Sequence, residues 1–404
     1  MDKNLDQRSQ NDKVPRHCMV VHAYYPVGET RVEREALALL AQGTVVDIIC
    51  LKSIDEPDVE LVDGVQVYRL PVGRNRRKGL LVQALEYLSF FMLAFVRLTT
   101  LYWRKHYDVI QVHNLPDFLV FVAIIPKLTG SKIILDLHDL MPEFYSELYE
   151  RSMDSLVVRI IRLQEWLSCK FADHIITVTE IWRQALIDRG QPKNKVSVVM
   201  NVADDHIFYP QGEVKETNNG CFRLIYHGVM GKRHGLDLAL RAICQIVEAA
   251  PDIQILLHGW AGDLKNLQEL ADELDLRDHI QFSHSNLPTA ELPKLLLTAD
   301  LAVVPYRNGT FTGGILPTKL MEYAALGIPA VAARTPAIAA YFDETCVQFF
   351  APGNVDELAA CILALYNDRQ RLANLAHNIV KFNNRYNWGK VSVEYAALVE
   401  RLRN

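Results

Sequence analysis

The chain has 404 residues, half of them hydrophobic and 23% charged, with a formal net charge of −5. At about 100–200 residues per domain this is a chain of two or three folded domains, and a disordered body is excluded. The acidic balance speaks against a nucleic-acid binder, which shows a basic domain.

Residues 1–14 are expected as a disordered tail, because Met1–Lys13 is polar and lacks the apolar run of a signal peptide. Short β-branched runs follow at Met19–Ala23, Val45–Leu51, Val109–His113, Lys132–His138, His174–Thr179 and Val196–Asn201. Helical patterns at Val32–Ala41, Asp117–Leu128 and Ser152–Phe171 separate them. Such alternation implies a parallel sheet with crossover helices. Val59–Leu70 differs, alternating by two around Asp63-Gly64 as a hairpin does.

Gly79–Trp103 is strongly apolar, but Glu86 and Arg97 interrupt it. It falls short of the about 18 uninterrupted apolar residues of a membrane span. Arg74, Arg76, Arg77 and Lys78 precede it. Basic residues ahead of an aromatic-rich helix suit a helix lying on anionic lipid, so 74–103 is a candidate contact with a membrane surface. A buried helix of an α/β domain is the other reading of the same pattern.

Pro210, Gly212 and the run Thr217-Asn218-Asn219-Gly220 mark a boundary between Pro210 and Asn219. The alternation then restarts, with strands at Arg223–His227, Ile253–His258, His279–Phe282, Leu301–Pro305 and Pro329–Ala333, and helices at 235–249, 263–274, 289–297 and 317–326. Val355–Leu365, Asp368–Phe382 and Val391–Leu402 read as helices. The expected organisation is an α/β chain of two doubly wound, Rossmann-like domains facing across a cleft. It comprises the tail 1–14, an N-terminal domain 15–210, a C-terminal domain 211–384, and a closing helix 385–404 that packs back toward the first domain. Ligands in such sheets bind at the carboxyl ends of the strands.

The strongest local signal is Gly313-Gly314-Ile315-Leu316-Pro317-Thr318-Lys319, followed by Glu322. A glycine turn opens a helix with Pro317 near its first position. The free N–H groups and the dipole at that end attract anions, and the glycines let a phosphate approach the backbone. Thr318 adds a hydroxyl, Lys319 a charge, and Glu322 a carboxylate one turn on that could accept from a ribose diol. A surface pair of Lys319 and Glu322 explains the same spacing without a ligand.

The second signal is Tyr226-His227-Gly228-Val229-Met230-Gly231-Lys232-Arg233-His234-Gly235, a strand, a glycine-rich turn and a helix, whose cations could clamp a diphosphate. It matches neither the dinucleotide fingerprint nor a Walker A loop. The loop holding Gly28 and Arg31 follows the first strand, and His113-Asn114 and His138-Asp139 end later ones. Arg31, His113 and Asp139 are candidates for sugar or acceptor contact, and His138 for a cleft role. The seven cysteines, Cys18, Cys50, Cys169, Cys221, Cys244, Cys346 and Cys361, are scattered without CxxC spacing. They read as free thiols, and no zinc site is expected.

With these residues in view, the chain resembles the group 1, family 4 glycosyltransferases of GT-B architecture. The markers are KIILDLHDLMPE at Lys132–Glu143, Ala172–Thr179 with the later Val198–Asp204, YHGVMGKRHGLD at Tyr226–Asp237, PTKLMEYAALGIPAV at Pro317–Val331, and Trp388–Tyr395. The resemblance implies a nucleoside-diphosphate sugar bound mainly by the C-terminal domain and a saccharide or lipid-linked acceptor bound mainly by the N-terminal one. It also implies retention of anomeric configuration, with no metal and no cofactor, because basic residues and a helix N-terminus meet the charge of the leaving diphosphate.

By the same resemblance Arg233 is the basic residue of the glycine loop, with Lys232 beside it and Gly228 within it. Glu322 is the second glutamate of a Glu-x7-Glu motif, His138 contacts the donor sugar, and Gly28 is the first-loop glycine. His138, Arg233 and Lys319 carry the catalytic expectation. The first glutamate of the motif falls at Gly314, so the backbone N–H groups of Ile315 and Leu316 are expected to hold the sugar, as in the Pro-Thr-Lys branch. The base is open among uracil, guanine and adenine, with a UDP-sugar expected first. The expected setting is the cytoplasmic face of a bacterial inner membrane, in surface-polysaccharide synthesis. A GT-B-shaped sugar-nucleotide epimerase and a non-catalytic scaffold of a polysaccharide-assembly complex are the rival readings.

Overall fold

The computed structural model describes residues 14–27, 29–73, 79–210, 220–259, 262, 264–283 and 287–404. Residues 1–13 of the expected tail, Gly28, the basic run 74–78 and the boundary stretch 211–219 lie outside the described residues. The chain forms two compact units. One runs to Met200 and takes in Val391–Asn404, and the other is Asn201–Lys390.

The N-terminal unit holds β1 (Arg16–Tyr24), α1 (Thr30–Ala41), β2 (Val45–Leu51), β3 (Val59–Val62), β4 (Val65–Leu70), α2 (Leu80–Lys105) and β5 (Val109–His113). It continues through α3 (Ile124–Leu128), β6 (Lys132–Leu137), α4 (Met141–Leu148), α5 (Leu156–Phe171), β7 (His174–Thr177), α6 (Glu180–Asp188) and β8 (Val196–Val198). Its eight strands lie in the order β3-β4-β2-β1-β5-β6-β7-β8. All pairs are parallel except the β3–β4 hairpin, which pairs Val62 with Val65 across Asp63-Gly64. The central strands are near-continuous apolar runs because helices cover both faces; Cys18 to Val21 and Ile133 to Leu135 are buried.

The predicted helix over 117–128 divides. Asp117–Ala123 is a 3-10 turn, and the α-helix begins only at Ile124. Pro126 has no N–H to give to a carbonyl one turn back, so it is accommodated in the first turn of a new helix. The segment expected as one helix from Ser152 starts at Leu156 behind Ser155, and a separate helix, α4, precedes it with Pro142 in its first turn.

The C-terminal unit holds β9 (Phe222–His227), α7 (Leu236–Ile246), β10 (Ile253–His258), α8 (Leu264–Glu273), β11 (Ile280–Ser283), α9 (Leu292–Leu296), β12 (Leu301–Val304) and α10 (Thr318–Leu326). It continues with β13 (Ala330–Ala333), α11 (Pro336–Tyr341), β14 (Gln348–Phe350), α12 (Val355–Asn367) and α13 (Arg369–Arg385). The parallel order is β11-β10-β9-β12-β13-β14. The last helix, α14 (Trp388–Arg403), ends the chain, and its Tyr395 hydroxyl donates to Gln111 Oε1 at 2.6 Å within the N-terminal unit.

The strand order reverses between β1 and β5 in the first unit and between β9 and β12 in the second. Those switch points open a crevice at the carboxyl ends of the strands. His113 ends β5, and His227-Gly228 ends β9.

Candidate functional site

In the C-terminal unit, β9 delivers Tyr226 and His227 to the switch point, and the chain then turns at Gly228 with φ +104°. A side chain at Gly228 would meet Lys319 Cε at 3.4 Å. Glycine suits the left-handed backbone there. Gly313 is packed as tightly, since a Cβ there would lie 2.7 Å from the Gly309 carbonyl oxygen. The turn Phe311–Gly314 leads through Ile315 and Leu316 to Pro317, which is the N-cap of α10 rather than its first residue. Thr318 is therefore the first helical residue and is exposed, while Lys319 points inward.

Lys319 is buried, and its Nζ donates to the Tyr306 hydroxyl at 2.8 Å. The same ammonium sits 4.6 Å from the centre of the Tyr226 ring and 5.1 Å from that of Tyr306. Burial works against its charge, but the Tyr306 and Tyr226 phenols outweigh burial, so its pKa lies above the ordinary lysine value. No carboxylate reaches Lys319 within 4.0 Å among the described residues. His234 next to it is neutral: burial, then the charges of Lys319 and Arg233, push it down to about 3. Its Nδ1 accepts from the Gly231 N–H at 3.1 Å, and its Nε2 lies 3.5 Å from the Arg233 Nε. Arg233 lies over the Phe311 ring at 5.3 Å. Two cations and the open end of a helix thus converge with no buried carboxylate to balance Lys319, an arrangement that favours an anion.

Glu322, one turn along α10, is held from β9. His227 Nε2 lies 2.6 Å from its Oε2, and His227 Nδ1 lies 2.8 Å from the Tyr323 hydroxyl. The surface pair of Lys319 with Glu322 does not form; the two side chains serve different partners. Lys232 parts from Arg233. It is exposed and lines, with Asp237, Arg241 and Arg307, a separate cavity of about 380 Å³. Sequence reasoning missed Tyr306, Tyr226, His227 and Tyr323. The usable signal was position, since Tyr226 and His227 end β9 and Tyr306 follows β12.

In the N-terminal unit, Gly28 lies outside the described residues. Asn114 clasps the loop after β6: its Oδ1 accepts from the His138 N–H at 3.2 Å, and its Nδ2 donates to the Asp139 carbonyl at 2.5 Å. His138 and Asp139 are half-buried at that edge. Arg31 and His113 are both buried, and their side chains are engaged inside the unit. Arg31 is claimed by Asp136 at 2.9 and 3.1 Å, Glu35 at 3.1 Å and the Val199 carbonyl at 3.0 Å. His113 Nδ1 lies 3.1 Å from Asp136 Oδ2. Burial would raise Asp136, but Arg31 and His113 outweigh it and hold its carboxyl well below the usual range. Glu35 is pushed up by burial more than Arg31 pulls it down. His113, Asp136 and His138 have metal-ligand spacing. A cation there would have to displace Arg31, which occupies both Asp136 oxygens.

Residues 28–201 match the family described as glycosyl transferase 4-like domain, and residues 212–382 match glycosyl transferases group 1. A chitobiosyldiphosphodolichol beta-mannosyltransferase of Candida albicans is 24% identical over 308 residues, 70% of this chain and 65% of that one. The chain thus spans less than two thirds of that relative's length. A sucrose-phosphate synthase from Thermosynechococcus elongatus superposes with a TM-score of 0.76 at 18% identity, covering 96% of this chain and 99% of its own. An Anabaena HepE protein in complex with UDP does so at 0.68 and 16%, covering 96% and 100%. At these identities the superpositions establish the fold, and the two family matches establish the lineage. The chain belongs to the group 1, family 4 glycosyltransferases of GT-B fold.

Proposed function

We propose that this protein transfers a sugar from a nucleoside-diphosphate sugar to a glycan or lipid-linked saccharide, with retention and without a metal. The observation that carries the reading is the buried Lys319 ammonium, set against Gly228 beside Arg233 and lacking a carboxylate partner among the described residues. A donor diphosphate supplies the missing anion. As the glycosidic bond breaks, negative charge grows on the leaving phosphate, and Lys319, Arg233 and the N–H groups opening α10 are in place to meet it. Gly314, Ile315, Leu316, Pro317 and Thr318 form the rest of the phosphate and sugar cradle, and Lys232, which lines the separate cavity, reaches the donor only by a change of side-chain direction. Glu322, oriented by His227, accepts from the ribose hydroxyls. In the N-terminal unit His138 and Asp139 serve the transferred sugar and the acceptor, with Gly28 in the first loop.

A UDP-sugar is the first donor to test, in keeping with the HepE complex. A mannosyl donor is the second, favoured by the Candida relative. That relative's name, with its diphosphodolichol-linked saccharide, supports a lipid-linked acceptor. Such an acceptor places the protein at a cytoplasmic membrane face, in surface-glycan synthesis, touching lipid through α2. Only 28% of that helix's apolar window is buried, which fits a surface helix better than a core one.

Product analysis tests the reading. With a sugar nucleotide and a lipid-linked saccharide, a transferase releases nucleoside diphosphate and lengthens the acceptor, and it does so in the presence of chelator. An epimerase isomerises the donor alone, and a scaffold turns over neither.

A further inference from the structure

We propose that the N-terminal unit docks on an anionic lipid bilayer through two helices, α2 and α5, with the segment between them completing one apolar face. The proposal rests on the membrane-surface reading of α2 and extends it to a second helix.

α5 is turned outward for a helix of a water-soluble unit. Leu156, Ile160, Leu163 and Trp166, spaced three or four apart, form a stripe that faces solvent, with Leu156 73% exposed. Its one carboxylate, Glu165, faces inward and accepts from Arg189 at 2.7 Å. A surface helix in water has the reverse pattern. α2 repeats the arrangement. Leu85, Leu88, Met92 and Val96 are exposed along one side, while Glu86 points in to His22 at 3.3 Å.

The two helices lie on either side of the segment Asp117–Leu128. Phe91 of α2 meets Phe118 with ring centres 6.0 Å apart, and Phe121 meets Phe171 of α5 at 5.0 Å. That segment leaves Ile124 and Leu128 exposed, the latter at 78%. The three adjoining elements therefore all expose apolar side chains, more of them than the single scattered hydrophobes of a typical monomer surface.

The charges around this surface select the partner. Arg159 and Lys170 are exposed on α5, and Arg104 is exposed near the end of α2. Arg162 makes no ion pair or hydrogen bond among the described residues. Neither helix exposes a carboxylate; Asp154 precedes α5, and Asp173 follows it, paired with Lys127 at 2.7 Å. Apolar and aromatic side chains on helices whose own exposed charges are all cationic suit anionic headgroups over acyl chains. At 16 residues α5 is about 24 Å long, short of the roughly 30 Å hydrocarbon core, so it lies in the interface and does not cross.

The test is co-sedimentation of the full chain with vesicles of one part phosphatidylglycerol to two parts phosphatidylcholine, and with phosphatidylcholine alone. The wild type binds the anionic vesicles in preference, and the double variant Ile160→Glu/Leu163→Glu loses at least about tenfold in partitioning. Leu88→Glu/Met92→Glu does the same from α2. All four side chains are half-exposed or more, and an unchanged circular dichroism melt of each variant verifies the fold. An α5 variant that binds like wild type while the α2 variant is impaired overturns the share given to α5 and leaves the α2 reading standing. A wild-type chain that binds neither vesicle overturns both. Equal binding to neutral vesicles overturns the choice of anionic lipid. A wild-type dimer that the α5 variant converts to monomer, with no vesicle binding, assigns the face to a second copy of the chain and overturns the proposal.

Discussion

In the N-terminal unit the buried Arg31 guanidinium has Asp136 at 2.9 Å and Glu35 at 3.1 Å, while in the C-terminal unit the buried Lys319 ammonium has phenols around it and no carboxylate among the described residues. Both cations have left water, and both must recover the lost hydration. The first does so inside the chain, within a network that runs through Gln111 to Tyr395 of the final helix. The second does so through phenols, which bring no formal counter-charge, and it stands beside a second cation and a helix N-terminus. A buried charge with its partner built in is architecture. One without is a place for a ligand of opposite sign.

The comparison breaks first at Asp136. Asp136→Asn leaves Arg31 and His113 short of their partner, and the N-terminal unit should lose about 3–5 kcal/mol in chemical unfolding. A loss below about 1 kcal/mol would mean that Glu35 alone suffices.

Next comes Arg233→Ala, which should lower turnover by about 10²–10³ with little change in melting temperature, since the residue meets charge that grows in the transition state. A rise in the Michaelis constant alone would make Arg233 a ground-state binder. Glu322→Ala should weaken nucleoside-diphosphate binding by roughly 10- to 100-fold, the worth of hydrogen bonds to a charged group. His227→Leu should show a smaller part of that loss, because it orients the carboxylate and does not touch the ligand. Equal affinity in calorimetry for wild type and both variants would remove Glu322 from the site.

The smallest effect is one of pH. Burial and the neighbouring cations hold His234 at about 3, whereas an unfolded histidine titrates near 6.5. Between those values the unfolded chain binds the extra proton, so stability falls as pH falls through that window. His17 and His174 are lowered by burial as well and carry the same sign. His234→Gln should therefore reduce the slope by no more than about 1.4 kcal/mol per pH unit. An unchanged slope would mean that His234 is charged in the folded protein.

Much of this was legible in the residues. The strand runs at Val45–Leu51, Val109–His113 and Ile253–His258 appear as read, since a parallel strand covered on both faces is an apolar run with sharp ends. The hairpin at Asp63-Gly64 was equally plain. What stayed hidden depends on partners far apart in sequence. Arg31 looked like a loop cation ready for a substrate, yet it is claimed by a carboxylate 105 residues away. A surface pair with Lys319 was the alternative reading of Glu322, yet its carboxylate is claimed by a histidine 95 residues earlier. Tyr306 carried no signal beyond its place just after β12, because its role comes from the pairing of β12 beside β9. Local pattern finds the glycine turns and the helix start; only the sheet order decides which cation is left without its counter-ion.

The most direct test is Lys319→Met, followed by calorimetry against UDP, GDP and ADP with chelator present. If Lys319 awaits a diphosphate, wild type binds one of them without metal. The variant then stays folded without ligand and binds at least about tenfold more weakly. A folded variant that binds the nucleotide as tightly as wild type, or one that is destabilised like Asp136→Asn, would contradict the account.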